Sequence, residues 1–156
     1  MQSSEIWLRS DVQAQSHLMI QSFKHLLGRD LISSSGNATQ DAAALFNAPF
    51  AVLSHGIESD PVLNYGNQIA LDLWEINFVD FTRMPSRLTA EPMLRDERQR
   101  LMELAARKGF IDDYAGVRIS ASGKRFRISN VILWSLTNED GTRLGQAAMF
   151  DIWEKI

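Results

Sequence analysis

The stretch from Asp60 to Glu75, Asp-Pro-Val-Leu-Asn-Tyr-Gly-Asn-Gln-Ile-Ala-Leu-Asp-Leu-Trp-Glu, constrains this chain more than any other. Pro61 can open a strand but not sit inside one, Val62 to Tyr65 favour extended backbone, and Gly66 breaks the run. Asn67 then has the chemistry of a helix N-cap, because its side-chain oxygen can accept an orphan backbone N–H. Ala70, Leu71 and Trp74 follow on one helical face. A strand that turns directly into a helix with one apolar face needs a sheet for that face to cover.

The last third of the chain supplies the sheet. Phe110 to Ser120, Lys124 to Thr137 and Arg143 to Trp153 read as strands, joined by turns at Ser122-Gly123 and Asn138-Glu139-Asp140-Gly141. In the middle strand Phe126, Ile128, Ile132, Trp134 and Leu136 alternate with Arg125, Arg127, Ser129 and Ser135, which predicts one buried face and one partly wet. Upstream, Trp7 to Leu27 carries Leu8, Val12, Met19, Ile20, Phe23, Leu26 and Leu27 at helical spacing, and Gly28 suits a C-terminal cap. That stripe can cover the domain's own core or pair with a second copy of the chain; spacing alone leaves both open. Ser33-Ser34-Ser35-Gly36 reads as a flexible joint. A short helix over Gln40 to Asn47, capped by Asn37 or Thr39, stops at Pro49, and Phe50 to Leu53 is a strand ending at Ser54-His55-Gly56. Asn77 and Asp80 start a short helix through Phe81, and Pro92 lies near the start of a longer one that buries Leu94, Leu101, Leu104 and Ala105 and ends at Gly109.

The order is strand, strand, helices, then three strands. An α+β fold satisfies it: a five-stranded antiparallel sheet with helices on one face, preceded by an N-terminal helical extension. Residues 1–36 form the extension and joint, and residues 37–156 the domain. At 156 residues with 45% apolar content the chain can bury one sizeable core and not two.

The net charge of −3, with acids interleaved among bases as in Arg95-Asp96-Glu97-Arg98-Gln99-Arg100, offers no positive field for nucleic acid. The absence of cysteine excludes disulfides, thiolate metal sites, thiol nucleophiles and photochemical adducts through a cysteine. Glu5, Arg9 and Asp11 interrupt the apolar run that a signal peptide needs, and no segment reaches the length of a membrane span. A soluble, cytoplasmic protein is the expectation. The glycosylation-like Asn37-Ala38-Thr39 is then a chance match.

Val62-Leu63-Asn64-Tyr65-Gly66-Asn67-Gln68-Ile69-Ala70-Leu71-Asp72-Leu73-Trp74 resembles the strand-to-helix segment of PAS domains, and Gly123-Lys124-Arg125-Phe126 and Asp140 to Gly145 resemble the two turns that follow it. More closely, Pro61-Val62, Asn67-Gln68, Leu71-Asp72, Lys108-Gly109-Phe110, Ile132-Leu133-Trp134 and Ala147 to Trp153 resemble the MEKHLA domain. That PAS-like module occurs at the C-terminal end of plant class III homeodomain leucine-zipper transcription factors and as stand-alone bacterial proteins, the type this chain resembles. The likeness covers Phe50 to Trp153 and implies a PAS-like fold and a sensory role. No homeodomain or zipper heptad is present, so the DNA-binding role of the plant proteins does not carry over.

Single residues allow more than one chemistry. His55, with Glu58 and Asp60 nearby, can be a general base, yet no second catalytic partner is identifiable and His17 and His25 are not at ligand spacing. A hydrogen-bonding histidine at a strand end is the plainer reading, and haem ligation lacks a supporting motif. Trp74 and Trp134 can line a cavity or fill the core. Arg87 can grip a ligand carboxylate as a fork or sit in a surface ion pair.

The functional expectation is a non-enzymatic sensory module that binds a small apolar or aromatic molecule between helices and sheet, with Tyr65, Trp74, Phe81, Arg87, Trp134, Met149 and His55 near the guest. Any cofactor is left unspecified and no metal is expected. The first alternative is an interaction module without ligand, whose apolar surface, including the N-terminal helix, makes a homodimer or docks another protein. The second is a small enzyme using His55.

Overall fold

The computed structural model describes residues 3–91 and 94–156. A 3-10 turn (Ser3–Leu8) leads into α1 (Ser10–Leu27), α2 (Ala38–Phe46), β1 (Ala51–His55), β2 (Leu63–Gly66), α3 (Gln68–Trp74) and α4 (Phe78–Phe81). A second 3-10 turn (Ser86–Thr89) precedes α5 (Arg95–Lys108), β3 (Phe110–Ile119), β4 (Arg125–Thr137), β5 (Arg143–Phe150) and β6 (Ile152–Lys155). All pairings are antiparallel, in the order β2-β1-β5-β4-β3, and β6 continues β5 along the same neighbour, β4. The sheet is therefore the expected five-stranded one, with its last strand interrupted at Asp151. Pro92, expected near the start of the long helix, lies outside the described residues.

Asn67 does more than cap. Its Oδ1 accepts from Ala70 N at 3.2 Å and from Val52 N at 3.0 Å, while its amide donates to Leu45 O and Phe50 O. One fully buried side chain thus ties α2, β1 and α3 together, with each of its polar groups matched.

The helices α3 and α5 cover one face of the sheet. On the opposite face lies α1, whose Met19 carbonyl accepts the Trp134 indole N–H at 3.3 Å and whose Phe23 ring meets the Trp134 ring edge-on at 5.0 Å. Val12, Met19, Ile20 and Phe23 of α1 are at most 4% exposed. Of the two uses open to this stripe, the structure realises the intramolecular one: the apolar face that a homodimer through α1 would need is occupied by the chain's own sheet. The Ser-rich joint is tied down as well, since Ser34 Oγ, Ser35 N and Ser35 Oγ all donate to the Asp41 carboxylate at 2.7–2.9 Å.

The expected alternation of β4 is corrected at its midpoint. Phe126 packs on Trp74 on the α3 side, and Ile128, Val131 and Leu133 face the same side, whereas Trp134, and with it Ile132 and Leu136, turns toward α1. Asn130 takes a positive φ of 54° and Asp151 breaks the neighbouring strand at the same level, so both strands invert their facing together. Val131 to Leu136 are buried without exception, because both faces of this part of the sheet are covered.

Candidate functional site

Between the sheet, α3, α5 and the 86–89 turn lies a cavity of about 40 Å³. Apolar side chains make most of its wall: Leu53, Leu63, Ile128, Leu133 and Phe150 from the strands, and Trp74 from the helical side. Trp74 is held by ring contacts to Phe126, Phe81 and Phe150, with centroids 5.1, 6.1 and 6.3 Å away, and its N–H donates to Thr89 O at 3.4 Å. Phe81 can reach this position because residue 66 is glycine; a Cβ there would sit 2.5 Å from the Phe81 ring.

The polar part of the lining is unusual. Arg98 and Arg118 both reach the cavity although each is only 7% exposed. Arg98 donates to Ser86 Oγ, and Arg118 donates to Tyr114 Oη at 2.7 Å and Val117 O at 2.9 Å. Among the described residues neither guanidinium pairs with a carboxylate, and no acidic residue lines the cavity. Burial, and after it the charge of Arg118, pushes the Arg98 guanidinium down to about 10.

His55 and Gln146 face each other across β1 and β5 and border the same space. The His55 Nδ1 is 2.9 Å from Gly56 O, and since a carbonyl only accepts, Nδ1 carries the hydrogen and Nε2 the lone pair. Burial first, then the charges of Arg98 and Arg143, hold the imidazole below its usual range, against the opposing contacts to Gly56 and Gln146. It is therefore a neutral ring whose Nε2 is buried without a donor. Gln146 donates its amide to Met102 O at 3.0 Å, leaving Oε1 also unmatched. Unpaired cations and unmatched acceptors thus meet at one small space.

A more open cleft of about 340 Å³ adjoins it and shares His55, Ser86, Arg98, Met102 and Gln146. Arg87 stands at this cleft with its Nε 3.2 Å from both carboxylate oxygens of Asp60, in a pair that is about half exposed (48% and 53%). Its Nε–H is engaged by its own chain.

Of the residues expected at a guest, the structure brings Trp74 and His55 to the cavity, sets Phe81 behind Trp74, and leaves Arg87 at the cleft. Tyr65, Trp134 and Met149 belong to the other face. Tyr65 pairs with Ser54 and its buried hydroxyl lies beside Ser16 of α1, while Met149 is the register partner of Val52 and Ile132. The expectation that these three line the gap is corrected by strand alternation, which sends neighbours in sequence to opposite faces. Arg98, Arg118 and Gln146 went unread. Arg98 had a signal, since it falls four residues after Leu94 and three before Leu101, in the stripe that α5 buries. Arg118 shares strand parity with Tyr114.

The MEKHLA domain profile matches residues 13–155. This chain belongs to the MEKHLA domain family. No functionally curated protein matches its sequence. In structure the MEKHLA domain is similar to a PAS domain from Colwellia psychrerythraea, with TM-score 0.64 and 13% identity over 75% of this chain and 94% of that one. It is similar to a flavin-analogue light-oxygen-voltage domain (TM-score 0.59, 14% identity, 74% and 83% covered) and to the fungal blue-light photoreceptor Vivid as its light-state dimer (0.52, 12%, 66% and 77%). At these identities the likeness shows a shared PAS fold.

A flavin does not fit the MEKHLA domain cavity as it stands. A single benzene ring occupies a cavity of about 150 Å³, several times the 40 Å³ present here, and the chain has no cysteine for an adduct. Among the described residues no three His, Asp or Glu side chains converge on a metal position, and no helix is long and apolar enough to cross a membrane.

Proposed function

We propose that this MEKHLA domain is a non-enzymatic sensory module that takes a small molecule into the cavity between α3, α5 and the sheet. The observation that carries the reading is the cavity itself, apolar on most sides but bordered by Arg98, Arg118, His55 and Gln146, with His55 Nε2 and Gln146 Oε1 buried without partners. Buried polar groups without partners are rare in folded proteins and are expected where a ligand or ordered water completes them. A PAS domain from a LuxR-family regulator of Burkholderia thailandensis, similar in fold (TM-score 0.52, 16% identity, 72% and 94% covered), is in complex with ethanol, a guest of the size this cavity admits. A guest with an aromatic ring needs more room.

The signal path in this reading is non-covalent. A guest touching Arg98 bears on α5, and one touching Gln146 bears on the centre of the sheet, so occupancy would be reported as a change in how α5 sits on β3 and β4. His55 serves as a polar wall: its Nε2 is an acceptor with no nucleophile or acid in hydrogen-bond reach. Native mass spectrometry of the purified chain, joined to a thermal-shift screen of molecules with two to five heavy atoms, tests the proposal. Bound mass or a rise in melting temperature that disappears on filling the cavity through Ala148→Leu supports it. A chain that no such molecule stabilises refutes it.

A further inference from the structure

The geometry points to a short-chain carboxylate as the guest, its oxygens taken by the guanidinium groups of Arg98 and Arg118. This rests on the ligand-binding reading above and adds the chemical class.

The argument is one of unmatched charge. Two guanidinium groups, each on a residue only 7% exposed, border a space with no acidic residue in its wall. A buried cation is normally paired. Here the hydrogen-bond partners of Arg98 and Arg118 are a serine hydroxyl, a tyrosine hydroxyl and a backbone carbonyl, which neutralise no charge. The chain as a whole is negative, at −3, so the positive character is local to this interior. Arg98 and Arg118 border the same cavity of about 40 Å³, so one small anion placed in it can answer both. A carboxylate matches a guanidinium in two parallel hydrogen bonds and, unlike an alcohol, cancels charge.

Size narrows the class. One water needs about 10–15 Å³ measured this way, so 40 Å³ admits a formate or acetate head, while the adjoining cleft, lined by Glu58, Asp60 and Glu103, disfavours an acid long enough to place a second carboxylate there. The acceptors His55 Nε2 and Gln146 Oε1 add a requirement that a bare carboxylate does not meet. A hydroxyl beside the carboxylate can donate to either one, which favours glycolate over acetate.

The test is isothermal titration of the full-length chain at neutral pH and constant ionic strength with formate, acetate and glycolate. Acetamide and ethanol serve as uncharged probes of the same size, and phosphate as a tetrahedral oxyanion. The acids are expected to bind, glycolate tightest, and Arg98→Met or Arg118→Met to weaken glycolate by about ten- to a hundredfold, while Arg127→Met at the exposed pair with Glu154 leaves it unchanged. Should Arg98→Met fail to fold, Arg98→Lys keeps the charge, loses the fork, and must still weaken glycolate more than Arg127→Met does. Binding of acetamide or ethanol as tight as the acids, or phosphate tighter than every carboxylate, overturns the carboxylate assignment and leaves the small-molecule reading standing. No binding by any probe, charged or neutral, overturns both.

Discussion

Replacing Arg98 by methionine should make the ligand-free protein more stable, although it removes the most polar side chain of α5's buried stripe. Arg98 is held down to about 10, roughly two and a half pH units below a guanidinium in water, chiefly by burial. At 1.36 kcal/mol for each pH unit that gap amounts to roughly 3 kcal/mol of cost for keeping the charge inside the folded state. The sign follows from linkage: a cation whose folded pKa is depressed destabilises the fold at every pH where the unfolded chain holds the proton, which includes neutral pH. Methionine loses the bond to Ser86 Oγ, worth about 1–2 kcal/mol, and buries a side chain of similar length. The net expectation is a gain of about 1–2 kcal/mol in urea unfolding at neutral pH without added carboxylate, with an unchanged m-value. A loss of more than about 1 kcal/mol would show that Arg98 is a structural cation with a partner, and would remove the unmatched charge on which the ligand class depends.

Trp134→Ala should cost about 3–5 kcal/mol, the usual penalty for truncating a buried large aromatic, and hydrogen exchange should show α1 released, because the indole holds Met19 and Phe23. Small-molecule binding should survive in that variant, since Trp134 lies on the face away from the cavity. Deleting residues 1–35 should unfold or aggregate the chain in sedimentation and circular dichroism rather than yield a well-folded monomer, because α1 buries Val12, Met19, Ile20 and Phe23 and packs on the central strand β4. The carboxylate of Glu75 is pulled down to about 2 by the hydroxyls of Ser120 and Ser122 and by Lys124 at 3.3 Å. The stability it contributes should be complete above the ordinary glutamate range and lost as pH falls toward 2, and Glu75→Gln should flatten that acid limb in pH-dependent melting. For His55 the fold favours the neutral ring, so stability should fall as pH drops below about 6.5, where the unfolded chain protonates first; His55→Gln should remove that slope in urea titrations between neutral and mildly acidic pH.

Local chemistry was written in the chain. The Asn67 cap, Gly28 after α1, the turns at Ser122-Gly123 and Asn138 to Gly141, and the order of strands and helices depend on residues a few positions apart, and each appeared where its side chains required. From that order the antiparallel sheet followed. Facing did not. A strand's alternation says that two sets of side chains point apart, but a single residue at positive φ, Asn130, exchanges the sets partway along β4, and asparagine there carries no unique signature. Nor could the stripe of α1 name its partner, since the same apolar face serves a second copy or the chain's own sheet equally well. The polar lining lay further still from view: Arg98 in a charged helix and Arg118 in a strand read as solvated residues, and only the packing of α5 across β3 and β4 takes both out of water at one place. Sequence therefore determined the elements and their order, where the forces act between near neighbours. Tertiary structure decided which face each side chain meets and which charges are buried together, because those depend on residues far apart in the chain.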